Sequence, residues 1–390
     1  MAIRSGTELP GQCGLIMNIL LLNWRDRSHP KAGGAELVTM EHAKSWVKAG
    51  HTVTWLTGWY EGGKKEEDID GVHIVRRAGS LTIYPYAMAY LLVNGRKFDV
   101  IVDEAHGFPF FSPLFTRTPV VMFIHEIAGE IWDYMFSFPK NIIGKWLEKW
   151  YFRLYRHCFV WTDAPSTVEE LVERGIPRNN CVAIPCPITV QRVDVRIYKK
   201  EKVPTYIFVS RVVRMKGIEE VVKAFSFIVK EQSKAQLWIV GDGEKLYIEE
   251  LKNMMKEYGI YGNVTFFGAV SEQKKYECMS KAHLLLHASV KEGWGLVVLE
   301  AGMMHTPSIV YNVSGLCDVV QNGKTGVVLT DNSPQELARE AVLLYIDKNR
   351  YEMYQKKGYI WAMSFTWKDA IIQSTALLER AIHQGHENIL

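Results

Sequence analysis

An α/β fold made of two successive, facing Rossmann-like units is predicted by three observations. Short β-branched or aliphatic runs alternate with longer helical patterns, which is the arrangement of parallel sheets covered by helices on both faces. The alternation occurs twice, in two series separated by a proline-rich and then charged stretch. The 390 residues, 48% of them hydrophobic, exceed one ordinary domain and supply enough apolar surface for two cores.

The first series of strands is Asn18 to Trp24, Thr52 to Thr57, Asp99 to Asp103, Val120 to His125 and Phe159 to Thr162. After the first of these, Lys31-Ala32-Gly33-Gly34-Ala35-Glu36 opens a helix that runs to Ala49, with Gly50 as its expected C-cap. Lys64 to Gly71 reads as a charged, solvated turn before a short strand from Val72 to Val75. Ile184-Pro185-Cys186-Pro187-Ile188 and the charged Arg192 to Lys202 combine rigid turns with polar composition and set a hinge near 188–203. The second series runs Tyr206 to Ser210, Gln236 to Val240, Val264 to Phe267, Leu284 to His287 and Ser308 to Tyr311. A last helix, from about Trp367 to His383, follows a break at Ser364-Phe365-Thr366. The expected domains are therefore 1–190 and 203–366, with a terminal helix in 367–390.

Lys and Arg exceed Asp and Glu by 46 to 43, and a net charge of +3 does not point to nucleic acid. The six cysteines, at 13, 158, 181, 186, 278 and 317, form no C-x-x-C pair and no ligand ladder with histidine. A reducing, cytoplasmic setting is the expectation. The opening residues do not read as a signal peptide, and no stretch approaches the ~18 apolar residues of a membrane span.

The most informative stretch is Glu292-Gly293-Trp294-Gly295-Leu296-Val297-Val298-Leu299-Glu300-Ala301. It sets two carboxylates eight positions apart across a glycine-pivoted turn, Glu292 in a loop and Glu300 inside a helix. The first-turn N–H groups near Gly295, Leu296 and Val297 lack intrahelical partners and suit a diphosphate. The plainer reading is a strand-to-helix turn with solvated glutamates. Arg211 and Lys216 follow the first strand of the second series, where two cations suit a diphosphate leaving group; as surface charges they are unremarkable. His125 ends the strand from Val120, placed to bond a sugar hydroxyl or simply to cap or pack; Glu104 and His106 are similarly placed but carry no motif. Gly33 and Gly34 permit close approach of a ligand or make a tight turn without chemistry. Gly241 and Gly243 leave room for a base or ribose, and Asp242 is expected to cap the next helix.

Asp68-Ile69-Asp70 has the spacing of a divalent-cation motif but sits in a charged turn, and no other cluster has ligand spacing, so no metal is expected. Lys140 to Arg156 interleaves cations at 140, 145, 149, 153 and 156 with Ile142, Ile143, Trp146, Leu147, Trp150, Tyr151 and Leu154. Such a helix lies on an anionic membrane surface or packs its apolar side on its own domain.

Together these motifs resemble the retaining glycosyltransferases of family four, which have the GT-B fold. The similarity spans Asn18 to about Arg380. It is carried by the Glu-x7-Glu pair Glu292 and Glu300, by Ser210-Arg211 with Lys216-Gly217, by Gly33-Gly34, by Val240-Gly241-Asp242-Gly243 and by Asn322-Gly323-Lys324-Thr325-Gly326. The chain departs from the pattern at Pro185-Cys186-Pro187 and at His305-Thr306-Pro307. The resemblance implies metal-independent transfer of a sugar from a nucleotide-sugar donor to a glycan or lipid-linked acceptor, with no cofactor, at the inner face of the membrane. It implies that Arg211 and Lys216 hold the diphosphate, that Glu300 binds the ribose, that Glu292 and His125 contact the donor sugar, and that Leu296 and Val297 donate to the phosphates. It also implies that the terminal helix packs back on the first domain. Two other readings are a nucleotide-sugar epimerase of the same fold and a non-catalytic nucleotide-sugar binding protein. A nicotinamide dehydrogenase is disfavoured, because G-x-G-x-x-G is absent after the first strand.

Overall fold

The computed structural model describes residues 15–189 and 197–387; Cys13 and the middle of the expected hinge lie outside them. The N-terminal half holds β1 (Asn18–Leu22), α1 (Gly34–Lys48), β2 (Thr52–Gly58), β3 (Glu66–Ile69), β4 (Val72–Arg77), α2 (Ile83–Asn94) and β5 (Val100–Ala105). It continues with β6 (Val120–Ile124), α3 (Ile131–Met135), α4 (Lys140–Tyr151), β7 (Phe159–Thr162), α5 (Pro165–Glu173) and β8 (Cys181–Ala183). These strands form one sheet in the order β3-β4-β2-β1-β5-β6-β7-β8, parallel except for β3.

The C-terminal half holds β9 (Thr205–Val209), α6 (Ile218–Glu231), β10 (Gln236–Val240), α7 (Lys245–Glu257), β11 (Val264–Gly268), α8 (Glu272–Lys281) and β12 (Leu284–His287). There follow α9 (Leu296–Met303), β13 (Ser308–Val310), α10 (Leu316–Val319), β14 (Gly326–Val328), α11 (Pro334–Ile346), α12 (Lys348–Ser364) and α13 (Trp367–Glu387). The second sheet runs β11-β10-β9-β12-β13-β14, all parallel. The chain is thus an α/β protein of two doubly wound sheets. Strands such as Ile19–Leu22 and Leu284–His287 are buried on both faces, which explains their unbroken apolar runs. In each sheet the strand order reverses beside the first strand, between β1 and β5 and between β9 and β12. Beyond the carboxyl ends at such a reversal a crevice opens, and that is where open α/β sheets bind ligands.

Three helices bear on the site. The helix α1 ends in the geometry its Gly50 permits: φ is +97° there, and the Gly50 and His51 N–H groups close on Val47 and Trp46. The helix α12 lies against α9 where Gly302 meets Gly358; a Cβ on Gly302 would stand 2.9 Å from the Gly358 carbonyl. The long α13 runs back over α1, β5 and β6 of the other half. Its Ser374 hydroxyl stands 3.0 Å from His42 Nδ1 and accepts from Trp46 Nε1 at 3.3 Å, all three buried.

Three expectations need correction. Lys64 to Gly71 is not only a turn, because Glu66–Ile69 forms β3, antiparallel to β4. Asp70 and Gly71 both have positive φ, +52° and +84°, as a two-residue hairpin requires, and Arg77 pairs with Glu66 while Arg76 bonds Glu67. The short strands β8 and β14 were not anticipated. The helix expected over 140–156 ends at Tyr151 and continues as a 3-10 turn, Phe152–Tyr155.

Candidate functional site

The chain leaves β9 into Ser210-Arg211 and a turn ending at Gly217, the residue before α6. Gly217 has φ of +71°, and a Cβ there would stand 1.8 Å from the Ala288 carbonyl, so the turn lies directly on the end of β12. Gly241, at φ of +135°, closes on the Ser210 carbonyl in the same way. These contacts fix Arg211 and Lys216 at the mouth of the crevice. Lys216 Nζ lies 2.7 Å from Glu292 Oε1, which also accepts from Ser289 Oγ at 2.9 Å and faces His287 Nε2 at 3.0 Å. Burial alone would raise the Glu292 pKa, but the Lys216 charge and the His287 bond outweigh it and hold the carboxyl well below its usual range. Burial likewise works to lower Lys216, and Glu292 and Glu126 outweigh it to leave the ammonium raised. Arg211 is exposed and makes no side-chain ion pair among the described residues.

Gly295, at φ of +88°, turns the chain into α9. The N–H groups of Leu296 and Val297 at that helix start have no backbone partner and no side-chain cap among the described residues. Glu300, one helix turn on, receives Lys275 Nζ at 2.7 Å and Tyr276 OH at 3.3 Å. Glu292 and Glu300 therefore serve separate partner sets.

Across the crevice, His125 follows β6. Its Nδ1 lies 2.5 Å from Asp163 Oδ2 and its Nε2 3.4 Å from Glu104 Oε1. Burial opposes charging of the ring, but Asp163 and Glu104 outweigh burial and raise the His125 pKa well above its usual value. Glu126, the next residue, is raised by burial, against the pull of Lys216 and with the push of Glu292. Glu126 thus lies within reach of the charges of His125, Lys216 and Glu292. Gly33 caps the start of α1, and its N–H donates to Glu36 Oε2 at 2.6 Å, while Glu36 Oε1 takes Arg25 Nε at 2.5 Å.

The two halves touch around this centre. A Cβ on Gly34 would stand 3.7 Å from Leu296 Cδ1, and one on Gly293 would stand 2.8 Å from the His125 carbonyl. Met215 packs on Ala128, Ile131 and Trp132. Lys291 Nζ reaches Glu170 at 2.5 Å, Ser166 bonds Asp318, and the Gly315 N–H donates to Ser166 Oγ at 2.9 Å. Beside these ties lies a cavity of about 300 Å³, with Gly129, Glu170 and Arg174 on one wall and Val290, Lys291 and Ser314 on the other.

Asp242 does not cap α7: its carboxylate accepts from the adjacent Gly243 N–H, and the helix begins after Glu244 without a side-chain cap. Asp68 and Asp70 lie on the outer β3–β4 hairpin, away from this centre, and Asp68 faces His73 at 3.0 Å. Asp163, His287, Lys275 and Tyr276 escaped the sequence reading. Asp163 and His287 stand at the carboxyl ends of β7 and β12, so the position rule applied to His125 would have found both.

Comparison with known proteins finds two family models on the chain. The model of Glycosyltransferase Family 4 matches residues 32–192, and that of Glycosyl transferases group 1 matches residues 191–361. An uncharacterised glycosyltransferase of Methanocaldococcus jannaschii is 30% identical over 180 residues, 45% of each chain. A GDP-mannose-dependent alpha-(1-6)-phosphatidylinositol monomannoside mannosyltransferase of Mycobacterium tuberculosis is 30% identical over 175 residues, 42% of this chain and 44% of that protein. Both alignments thus span less than half of the relative's length. Anabaena HepE, solved in complex with UDP and glucose, superposes with a TM-score of 0.70 at 19% identity, over 93% of this chain and 100% of that one. The two family models adjoin between the two sheets and together run from residue 32 to residue 361, and the chain belongs to the family 4 type of glycosyltransferases with the GT-B fold.

Proposed function

We propose that this glycosyltransferase moves a hexose from a nucleotide-sugar donor to an acceptor hydroxyl with retention of anomeric configuration, in the synthesis of a surface polysaccharide or glycolipid. The observation that carries the reading is the meeting of Lys216, Glu292 and the uncapped start of α9 at the β9–β12 reversal. The donor domain is then 203–366 and the acceptor domain 1–190. Arg211 and Lys216 neutralise the diphosphate as the glycosidic bond breaks, and the N–H groups of Gly295, Leu296 and Val297 add the positive end of α9. Glu300 holds the ribose, Gly241 leaves room for the nucleoside, and Gly33 and Gly34 admit the donor from the other side. Glu292 and His125 face the sugar; the 3.4 Å gap from His125 Nε2 to Glu104 leaves that nitrogen the looser of the two. Two fixed cations meet the leaving group, so the transfer is assigned no metal and no cofactor. The departing diphosphate itself takes the acceptor proton.

The HepE complex with UDP and the GDP-mannose dependence of the mannosyltransferase support a nucleotide-sugar donor and leave the base open. The test is donor binding and single-turnover transfer with UDP-, GDP- and ADP-hexoses. Arg211→Ala and Lys216→Ala are expected to slow transfer, each by about 100-fold or more, and Glu300→Ala to weaken donor binding. Undiminished turnover in all three refutes the assignment.

The acceptor reading rests on α3 and α4. No helix among the described residues is long and apolar enough to cross a membrane. The face of α4 turned to the protein carries Gly144, Glu148 and Tyr151, while Ile142, Ile143, Trp146 and Trp150 are exposed together with Phe136 and Phe138. The cations at 140, 145, 149, 153 and 156 accompany them. Aromatic and basic side chains together suit an anionic lipid surface, and this supports work at the inner face of the membrane, beside a lipid-linked acceptor. In liposome flotation, neutralising those cations is expected to release the protein from anionic vesicles; unchanged binding sinks this part.

A further inference from the structure

The crevice holds a second convergence, which shares only His125 with the transfer chemistry. Glu104, His106 and His125 each offer one ligand atom, and these atoms lie within 4.8 Å of one another. Glu104 Oε1 stands 3.4 Å from His125 Nε2 and 3.6 Å from His106 Nδ1. Zinc bound tetrahedrally at about 2.0–2.1 Å separates neighbouring ligand atoms by roughly 3.3 Å, close to both spacings. We propose that Glu104, His106 and His125 bind a late first-row divalent ion, zinc foremost, with an open position facing the crevice.

Two further observations point to an ion. His106 Nδ1 is a buried nitrogen with no hydrogen-bond partner among the described residues, although it faces the Glu104 carboxylate. Each of the three side chains also has a partner on its far side. Asp163 Oδ2 lies 2.5 Å from His125 Nδ1, Glu36 Oε1 lies 3.5 Å from His106 Nε2, and Thr39 Oγ1 donates to Glu104 Oε2 at 2.8 Å. A carboxylate behind each ligating histidine and a hydrogen bond behind the ligating carboxylate are the outer partners that orient metal ligands. Two imidazoles and one carboxylate suit zinc, cobalt or nickel rather than magnesium or calcium. The consequence for transfer rests on the function proposed above: the ion takes His125 from the donor sugar, so zinc opposes donor binding.

The test is a Co²⁺ titration of the full chain, followed by visible absorption, with displacement by Zn²⁺. One cobalt per chain is expected, weakened about 10-fold or more by Glu104→Gln, His106→Ala and Asp163→Asn and unchanged by His73→Ala on the outer hairpin. No cobalt band in the wild-type chain, or equal affinity in all these variants, overturns the site. Because a buried variant can fail to fold, the zinc-dependent rise in Tm of the wild-type chain is read alongside; no rise also overturns it. Zinc that binds without weakening the donor overturns the shared use of His125. A chain that binds cobalt as described but no nucleotide sugar supports the ion site and refutes the proposed function alone.

Discussion

At the scale of single residues, the pair Lys216–Glu292 decides most. Both side chains are largely buried, at 12% and 14% exposure, and lie 2.7 Å apart. Lys216→Met leaves a buried carboxylate without its cation and is expected to cost about 3 kcal/mol in urea denaturation. The pH dependence follows from the depressed Glu292 pKa. The native state holds this group ionised where the unfolded chain takes a proton, so its contribution is complete above about 4.5 and is lost on further acidification. The wild-type stability should fall below that pH, and the variant should fall less steeply. Gly217→Ala is expected to destabilise by about 3 kcal/mol or more, because φ is +71° and the new Cβ meets the Ala288 carbonyl. The sequence singles out both glutamates and both cations as candidates, since each stands at a strand's carboxyl end or in the Glu-x7-Glu pair. It could not reveal that Glu292 takes Lys216 while Glu300 takes Lys275. Those partners come from other elements, and only the packing of α8 and the β9 turn against α9 brings them in.

At the scale of elements, α13 and α1 form a buried polar seam within an aromatic cluster. His42 lies among Trp46, Trp161 and Trp367 with Ser374 at 3.0 Å, and burial pushes its pKa down to about 3. Between about 6.5 and 3 the unfolded chain binds a proton here that the native chain refuses, so stability falls as pH falls, by at most about 1.4 kcal/mol per pH unit. His42→Asn should flatten that slope in thermal unfolding scans. Strands with unbroken apolar runs were readable because burial on both faces needs nothing else. The charged β3 was not: Glu66, Glu67 and Asp68 suit an edge strand only because Arg76 and Arg77 on β4 answer two of them. The face of α4 was legible as amphipathic but not in its direction. Glu148 turns inward because it accepts the Ala128 and Gly129 N–H groups at 2.7 and 2.8 Å, a demand set by the loop before α3, 20 and 19 residues earlier in the chain.

At the scale of the whole molecule, the strand-order reversals of the two sheets face each other, and the side chains that close the gap are few. Lys291–Glu170 and Ser166–Asp318 are polar ties at partly exposed positions, each worth about 1 kcal/mol or less. Glu170→Ala with Asp318→Ala should therefore leave Tm nearly unchanged while enlarging the radius of gyration measured by small-angle scattering. An unchanged radius would show that the apolar seat of Met215 against Trp132 and the return of α13 hold the halves without these ties. The return of α13 carries a last consequence. The strand that begins the second sheet and the helix that ends the chain reach the first sheet from different places, so the polypeptide crosses between the lobes twice. A protease cut anywhere between Ala183 and Thr205 would yield two bands on a denaturing gel, yet the nicked enzyme should still elute as one particle, the carboxyl fragment clasping its neighbour by its tail.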